Sequence, residues 1–182
     1  ITYKELYEQP KCFQGIIDTL NDIFLVLDDV FSKENNIEEV IFTGCGTSLY
    51  IGQSAAHAFY TLTKIPARAI PCSELFFYSD TYLKSQRNVL VVPITRKSYT
   101  SEVRMAIDRA RTYSNVKSLS ITCDPDSNKY NDYMILSPES AEDSVIMTKS
   151  FTGMVFMSMI SAYYVSGKKE KITEMKNYYR QS

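Results

Sequence analysis

Residues Val40 to Ser54 read V-I-F-T-G-C-G-T-S-L-Y-I-G-Q-S, and the architecture of the chain follows from this stretch. Its β-branched and aromatic start predicts a strand, which stops at Gly44-Cys45-Gly46. An apolar pattern with helical spacing begins after Thr47-Ser48. The order is therefore strand, tight turn and helix, and the two glycines allow the backbone to turn sharply and to approach a ligand closely.

Two interpretations of this turn are open. A helix N-terminus presents unpaired N–H groups and the positive end of the helix dipole, so it favours an anion. The hydroxyls of Thr47 and Ser48 can also donate to a phosphate oxygen. Alternatively, one of these hydroxyls only caps the helix. Residue types alone do not separate the two, because short glycine-rich motifs have low specificity.

Composition excludes several classes of protein. The length of 182 residues fits one domain with a substantial core, and 45% hydrophobic residues is typical of a globular protein. A net charge of −1 argues against a nucleic-acid partner and against binding to an anionic membrane. No apolar run is as long as a membrane span.

The cysteines and the N-terminal residues indicate the cellular location and the kind of site to expect. Cys12, Cys45, Cys72 and Cys123 form no C-x-x-C pair, so we expect neither zinc nor a disulfide framework, and a cytoplasmic, reducing location. The N-terminus has no signal-peptide pattern. It also lacks an initiator Met, which suggests a piece of a longer chain. His57 is the single histidine, so no metal site is predicted.

Strand-like and helix-like segments alternate, which predicts an α/β fold with a doubly wound parallel sheet. Strands are expected at residues 39–43, 65–71, 89–95, 116–122 and 133–137, with Pro93 near the end of the third. Helices are expected at 14–31, 48–63, 100–112 and 147–165. We divide the chain into an N-terminal helical segment (1–38), the sheet domain (39–167) and a charged helical tail (168–182).

Three loops follow strands and should meet at the carboxyl edge of the sheet, where such folds bind ligands. They are residues 44–48, 95–100 and 137–144. The second, Thr95-Arg96-Lys97-Ser98-Tyr99-Thr100, supplies hydroxyls and two positive charges, which suit a phosphate. The alternative is that Thr100 only caps the next helix. The reciprocal Glu of a capping box is missing there, since Val103 occupies its position.

Three segments together resemble the sugar isomerase (SIS) domain family: V-I-F-T-G-C-G-T-S, V-L-V-V-P-I-T-R-K-S-Y-T-S-E-V and E-D-S-V-I-M-T-K-S-F-T. They are most similar to the first SIS domain of two-domain phosphosugar isomerases related to the isomerase half of glucosamine-6-phosphate synthase. The resemblance spans residues 40–156. It implies a flavodoxin-like three-layer sandwich with a five-stranded parallel sheet, and a second SIS domain that follows this chain.

The resemblance also implies a ligand, a phosphosugar of the fructose 6-phosphate or glucosamine 6-phosphate class, and no cofactor. Glu142 would lie beside the site. Carried over by position, the substrate-binding residues are Gly46, Thr47, Ser48, Thr95, Arg96, Lys97, Ser98, Thr100, Val145 and Met147.

The second loop departs from the family pattern S-x-S-G-E-T. Lys97 stands where relatives have a serine that donates to phosphate, and Ser98 replaces a glycine. Either the basic side chains replace hydroxyl donors with charge, or the pocket has changed or lost its ligand.

Catalysis is the second open point. Isomerisation needs a base that moves a proton between adjacent carbons. Glu142 is the candidate within this chain, although a solvated or interface carboxylate is the commoner role for such a residue. His57 is expected to be a packed or half-exposed helix residue and Cys45 a small residue in its turn. The resemblance places most catalytic groups in a second SIS domain and its tail.

Two functional hypotheses remain. The chain is part of a phosphosugar isomerase or an aminotransferase-type enzyme, or it is a non-catalytic sugar-phosphate-sensing or dimerisation module. Fourteen tyrosines exceed what one core requires, and tyrosine is enriched at interfaces. We therefore expect a homodimer or pairing with a second SIS domain.

Overall fold

The structure of the protein, a computed structural model, describes residues 1–98 and 100–180. Within these residues five strands form one parallel sheet in the order β2-β1-β3-β4-β5. This is the strand order of flavodoxin-like folds, so the predicted fold class is confirmed. The strands are β1 (Glu39–Gly44), β2 (Ala67–Pro71), β3 (Val89–Thr95), β4 (Val116–Thr122) and β5 (Tyr133–Leu136).

The central strands are buried on both faces, as their continuous apolar sequences predict. Every residue of β1 and β3 is buried. Pro93 lies near the end of β3, as expected. Proline has no N–H to donate, and the pairing of β3 with β4 is interrupted at Val92 and Pro93 and resumes at Ile94 in the same register.

Helices cover both faces of the sheet and complete the three layers. In chain order they are α1 (Thr2–Tyr7), α2 (Gln9–Asp18), α3 (Leu20–Val30), α4 (Thr47–Thr63), α5 (Cys72–Phe77), α6 (Ser79–Leu83), α7 (Ser101–Ala110), α8 (Lys149–Val165) and α9 (Lys169–Arg180). α2, α3, α4 and α8 pack on the face that carries Val40, Phe42 and Val92. α5 and α7 pack on the face that carries Ile41, Val89 and Val91.

Side-chain hydrogen bonds explain two differences between the predicted and the observed helices. The helix expected at residues 14–31 is divided into α2 and α3 at Thr19, whose hydroxyl donates to the carbonyls of Gly15 and Ile16 at 3.2 Å each. Such back-bonding competes with regular helix geometry. The helix expected from residue 147 begins at Lys149, because the Thr148 N–H donates to the Glu142 carboxylate.

The N-terminal segment and the C-terminal tail both join the main core. Ile16 of α2 and Leu27 of α3 are fully buried against the sheet face, and Ile172 of α9 is buried in the same cluster. Residues 181–182 of the predicted tail lie outside the described residues. In the part of the chain that the structure describes, no helix is long and apolar enough to cross a membrane.

Gly153 on α8 gives a test of this packing. A Cβ at Gly153 would lie 2.3 Å from the Ser140 hydroxyl oxygen and 2.9 Å from its Cβ. We expect Gly153→Ala to lower the free energy of unfolding by about 1–3 kcal/mol, because the contact cannot relax without moving the loop before α8. Urea unfolding measures the change.

Gly15→Ala on α2 is the matched control. Its Cβ would meet the side chain of the exposed Glu139, which can swing into solvent. Helix propensity then favours alanine by about 0.5–1 kcal/mol. Equal effects of the two substitutions would contradict the tight packing inferred at Gly153.

Candidate functional site

The strand order reverses between β1 and β3, and the loops that follow these two strands face each other across one cleft. Parallel doubly wound sheets bind ligands at this point. The cleft has a volume of about 320 Å³. Its lining residues come from the two loops, from the starts of α4 and α7 and from the third loop: Cys45, Ser48, Ile94, Thr95, Arg96, Lys97, Thr100, Val103 and Met147.

The turn after β1 brings the N-terminus of α4 to the cleft. A Cβ at Gly44 would lie 2.8 Å from the Ser48 backbone carbon, so only glycine allows this approach. Gly46 has φ +53° and is the N-cap residue of α4. No side chain caps this helix, so the capping interpretation of Thr47 and Ser48 is wrong. Ser48 lines the cleft, whereas Thr47 and Gly46 are exposed beside it.

The hydroxyls of the second loop are directed to the protein itself. Thr95 and Thr100 both donate to the Lys97 carbonyl, at 2.8 and 3.2 Å. Thr100 stands at the N-cap of α7, as the alternative interpretation required, but its side chain makes no cap bond. These bonds fix the backbone conformation at Lys97, and Lys97 lines the cleft together with Ser48 and Arg96.

Ser98 turns away from the cleft. Its backbone N–H and its hydroxyl donate to one carboxylate oxygen of Asp124, at 2.8 and 2.6 Å. The expectation that Ser98 binds substrate is therefore not supported by its position. Asp124 is a residue that the sequence interpretation missed. An Asp directly after a strand and before Pro125 is the signal that could have identified it as a loop anchor.

The anchor at Asp124 affects its own ionisation. Burial acts to raise the pKa of Asp124, but hydrogen bonds from the Ser98 hydroxyl and from the N–H groups of Ser98 and Asp126 outweigh it. The pKa of Asp124 is consequently held below its ordinary value of 3.8. The second loop is thus tied to the end of β4 by a carboxylate that stays ionised at neutral pH.

Arg96 connects the second loop to the third. Its Nη1 donates to the Ser144 carbonyl and lies 3.7 Å from Oε1 of Glu142. The Glu142 side chain is completely buried. It accepts from the Thr148 N–H at 3.0 and 3.1 Å, from the Thr148 hydroxyl at 2.7 Å and from the Ser150 hydroxyl. Glu142 is therefore not a solvated carboxylate.

The N-terminal helix braces the same loop from outside. Glu5 on α1 is buried, and its carboxylate accepts from the backbone N–H of Asp143 at 2.7 Å and of Ser144 at 3.3 Å. The Thr2 and Ser144 hydroxyls are 2.7 Å apart. Nothing in the sequence pattern around Glu5 indicates this role, because its partners are backbone groups far along the chain.

The structure brings most predicted site residues together, with clear exceptions. Val145 is 90% exposed and does not face the cleft. Glu142 and Ser98 are buried within their loops and do not line the cleft. Tyr99 lies outside the described residues. Ser48, Thr95, Arg96, Lys97, Thr100 and Met147 line the cleft, and Cys45, Ile94 and Val103 are cleft residues that the sequence interpretation did not assign.

Metal binding finds no support in this arrangement. Across residues 1–98 and 100–180, no group of three or more His, Cys, Asp or Glu side chains is placed to hold a metal ion. His57 is exposed on α4, away from the cleft. The cleft has a mixed polar and apolar lining that includes the start of α4 and two basic side chains, Arg96 and Lys97, and such groups suit an anionic organic ligand.

Comparison with known proteins gives a family and relatives. A model of the SIS domain matches residues 35–165. The chain is 28% identical over 186 residues to the glutamine–fructose-6-phosphate aminotransferase [isomerizing] of Helicobacter pylori, which covers 96% of this chain and 30% of the relative. The chain thus spans under a third of the length of this relative.

Solved structures share the fold. The C-terminal domain of glucosamine-fructose-6-phosphate aminotransferase from Francisella tularensis superposes with a TM-score of 0.78 at 23% identity, over 99% of this chain and 52% of the other. Tagatose-6-phosphate ketose/aldose isomerase from Escherichia coli gives a TM-score of 0.73 at 22% identity, over 84% and 44%. At these identities the likeness concerns the fold.

Asp124→Asn tests the anchor of the second loop. When folding lowers the pKa of a carboxyl group, the ionised group stabilises the folded state at any pH above the pKa that it has in the unfolded chain. This stabilisation is lost as the pH falls through the pKa of the folded state. We expect the variant to lose about 1–2 kcal/mol at pH 7. The difference from wild type should shrink below about pH 4. Urea unfolding at several pH values measures this.

The control for that experiment is Asp126→Asn, which alters an exposed ion pair with Lys129. Its effect should stay within about 0.5 kcal/mol. A difference between wild type and Asp124→Asn that is constant from pH 7 to pH 3 would contradict the anchoring role of the carboxylate.

Glu142→Gln tests the brace of the third loop. The amide cannot accept from Thr148 and Ser150 with both ends, so a buried donor loses its partner. We expect a loss of about 1–3 kcal/mol in the free energy of unfolding. Glu139→Gln, on the exposed part of the same loop, should change it by less than about 0.5 kcal/mol. Equal stability of both variants would refute the brace.

Proposed function

Because the chain belongs to the SIS domain family, we propose that it binds a phosphosugar in the cleft between the loops after β1 and β3. The ligand class is fructose 6-phosphate or glucosamine 6-phosphate, and the chain is part of a phosphosugar isomerase or aminotransferase-type enzyme. The names of the relatives support this class. The observation that carries the proposal is that both strand-to-helix turns open into one cleft.

The phosphate would lie between the N-terminus of α4 and Lys97. The helix N-terminus supplies backbone N–H groups and a favourable dipole, and Ser48 adds a hydroxyl. Lys97 adds a positive charge that serves where relatives use a serine. The volume of about 320 Å³ is at the small end of ligand sites, which suits one phosphosugar.

The surroundings of Glu142 favour a structural role over that of the base of an isomerisation. Glu142 does not line the cleft between the loops after β1 and β3, and its buried carboxylate accepts hydrogen bonds that hold the third loop. We propose instead that Glu142 is a positioning residue. The groups that move the proton would come from a second SIS domain, which is consistent with the small share of the relative that this chain spans. Proton transfer of this kind needs no cofactor.

Pairing with a second SIS domain, within a longer chain or between chains as a homodimer, is also part of the proposal. It is supported by large apolar side chains exposed on α1 and around α5. Tyr3 and Tyr7 are 75% and 67% exposed, and Phe77 is 72% exposed. A cytoplasmic location is supported by the free thiols of all four cysteines.

Ligand binding is tested first by thermal unfolding. Glucosamine 6-phosphate and fructose 6-phosphate should raise the Tm, since a ligand at 100 times its Kd stabilises by about 2.7 kcal/mol. Glucosamine without phosphate is the control and should give a much smaller shift, because the anion makes the main contacts. No shift with either phosphosugar at millimolar concentration would contradict the proposal.

Lys97→Ala tests the role of charge in the second loop. We expect affinity for glucosamine 6-phosphate to fall at least about tenfold by titration calorimetry, because a charge-assisted contact to phosphate is lost. Lys117→Ala removes an exposed lysine on β4, remote from the cleft, and should leave affinity unchanged. Unaltered binding by the Lys97 variant would remove Lys97 from the site.

A further inference from the structure

Cys45 and Cys72 lie next to each other, directly after the ends of the paired strands β1 and β2. These neighbouring parallel strands end in register, with Gly44 opposite Pro71, and each cysteine directly follows the last residue of its strand. Paired strands lie about 5 Å apart, which falls within the range of Cα separations that a disulfide can bridge. Both side chains belong to the apolar cluster that includes Ile41 and Ile70, so they lie on the same face of the sheet.

The two thiols are in contact but have different surroundings. The Cys72 thiol hydrogen-bonds to the sulfur of Cys45, and this bond lowers the pKa of Cys45 despite its partial burial. The same bond, together with burial, raises the pKa of Cys72 strongly. Cys45 is half-buried and forms part of the cleft wall, whereas Cys72 is 1% exposed.

We propose that Cys45 and Cys72 form an oxidisable dithiol site, in which a hydroperoxide that enters the cleft converts the pair to a disulfide. Cys45 is the attacking residue, because its sulfur is the one that the cleft exposes. Cys72 is the resolving residue, because it is buried in the sheet cluster, does not line the cleft and accepts a hydrogen bond from the Thr43 hydroxyl at 3.4 Å. The site does not depend on which ligand the cleft binds.

The chemistry balances in two steps. The Cys45 thiolate attacks the outer oxygen of hydrogen peroxide, the O–O bond breaks, and the departing hydroxide takes a proton to become water, leaving a sulfenic acid. The Cys72 sulfur then attacks the Cys45 sulfur; the S–O bond breaks and hydroxide, with the Cys72 proton, leaves as a second water. Two thiols are oxidised by two electrons and one peroxide is reduced.

The chain provides an internal control in its other two cysteines. Cys12 and Cys123 are 1% and 3% exposed and are not part of the cleft wall. Burial raises the pKa of both thiols, that of Cys123 to about 12. The Cys12 thiol donates to the Glu139 carbonyl at 3.0 Å. They should therefore stay reduced under conditions that oxidise the proposed pair.

The test uses the wild-type chain exposed to a small molar excess of hydrogen peroxide, with thiols counted after denaturation in the presence of an alkylating agent. We expect titratable thiols to fall from four to about two per chain, and to return with dithiothreitol. Non-reducing peptide mapping should recover the peptides of Cys45 and Cys72 joined to each other. Loss of Cys12 and Cys123 at the same rate, or a link from Cys45 to a second chain, would overturn the proposal.

Two variants separate the roles of the cysteines. Cys72→Ala should stop at the sulfenic acid of Cys45, which dimedone traps, and should form no internal disulfide. Cys45→Ala should keep all its remaining thiols through the same exposure. Oxidation of Cys72 in the Cys45→Ala variant as fast as in wild type would overturn the assignment of Cys45 as the attacking residue.

Discussion

The contact between Arg96 and Glu142 joins the loop after β3, which lines the cleft, to the loop before α8, and the arrangement of these two loops depends on it. Arg96 belongs to the loop after β3, and Glu142 belongs to the loop that precedes α8. The buried carboxylate also accepts from Thr148 and Ser150 at the start of α8, where the helix dipole favours a negative charge. A buried charge needs such partners, so the two loops and the helix hold one another in place.

The loop after β3 departs from the family pattern, and hydrogen bonds from its own hydroxyl groups define its conformation. Where the family pattern has glycine, this chain has Ser98, whose backbone does not need a positive φ. The Ser98 hydroxyl donates a hydrogen bond to the Asp124 carboxylate, and the Ser98 backbone N–H donates a second one. Thr95 and Thr100 bind the Lys97 carbonyl. The hydroxyls therefore shape the loop, and two basic residues of the loop, Arg96 and Lys97, line the cleft.

The fold was largely predictable because its signals are local. Alternating apolar strands and amphipathic helices gave the sheet, and the glycine turn gave the link from β1 to α4. The bounds that differed, at Thr19 and at Thr148, depend on side chains that bond to the backbone. At Thr148 the partner is Glu142, which the local pattern does not pair with it. Helix periodicity carries no information about such bonds, so the predicted helices ran through these positions.

The sequence established the parallel α/β sheet, the family and the two turns that meet at its carboxyl edge, since burial periodicity, glycine positions and motif order are properties of short segments. Tertiary structure alone decided what each polar side chain in those turns does. It directed Ser98 to Asp124, enclosed Glu142, brought Glu5 from α1 to the loop at Asp143 and set Cys45 beside Cys72. These roles depend on distances between residues far apart in the chain, and such distances exist only once the sheet and its helices have packed.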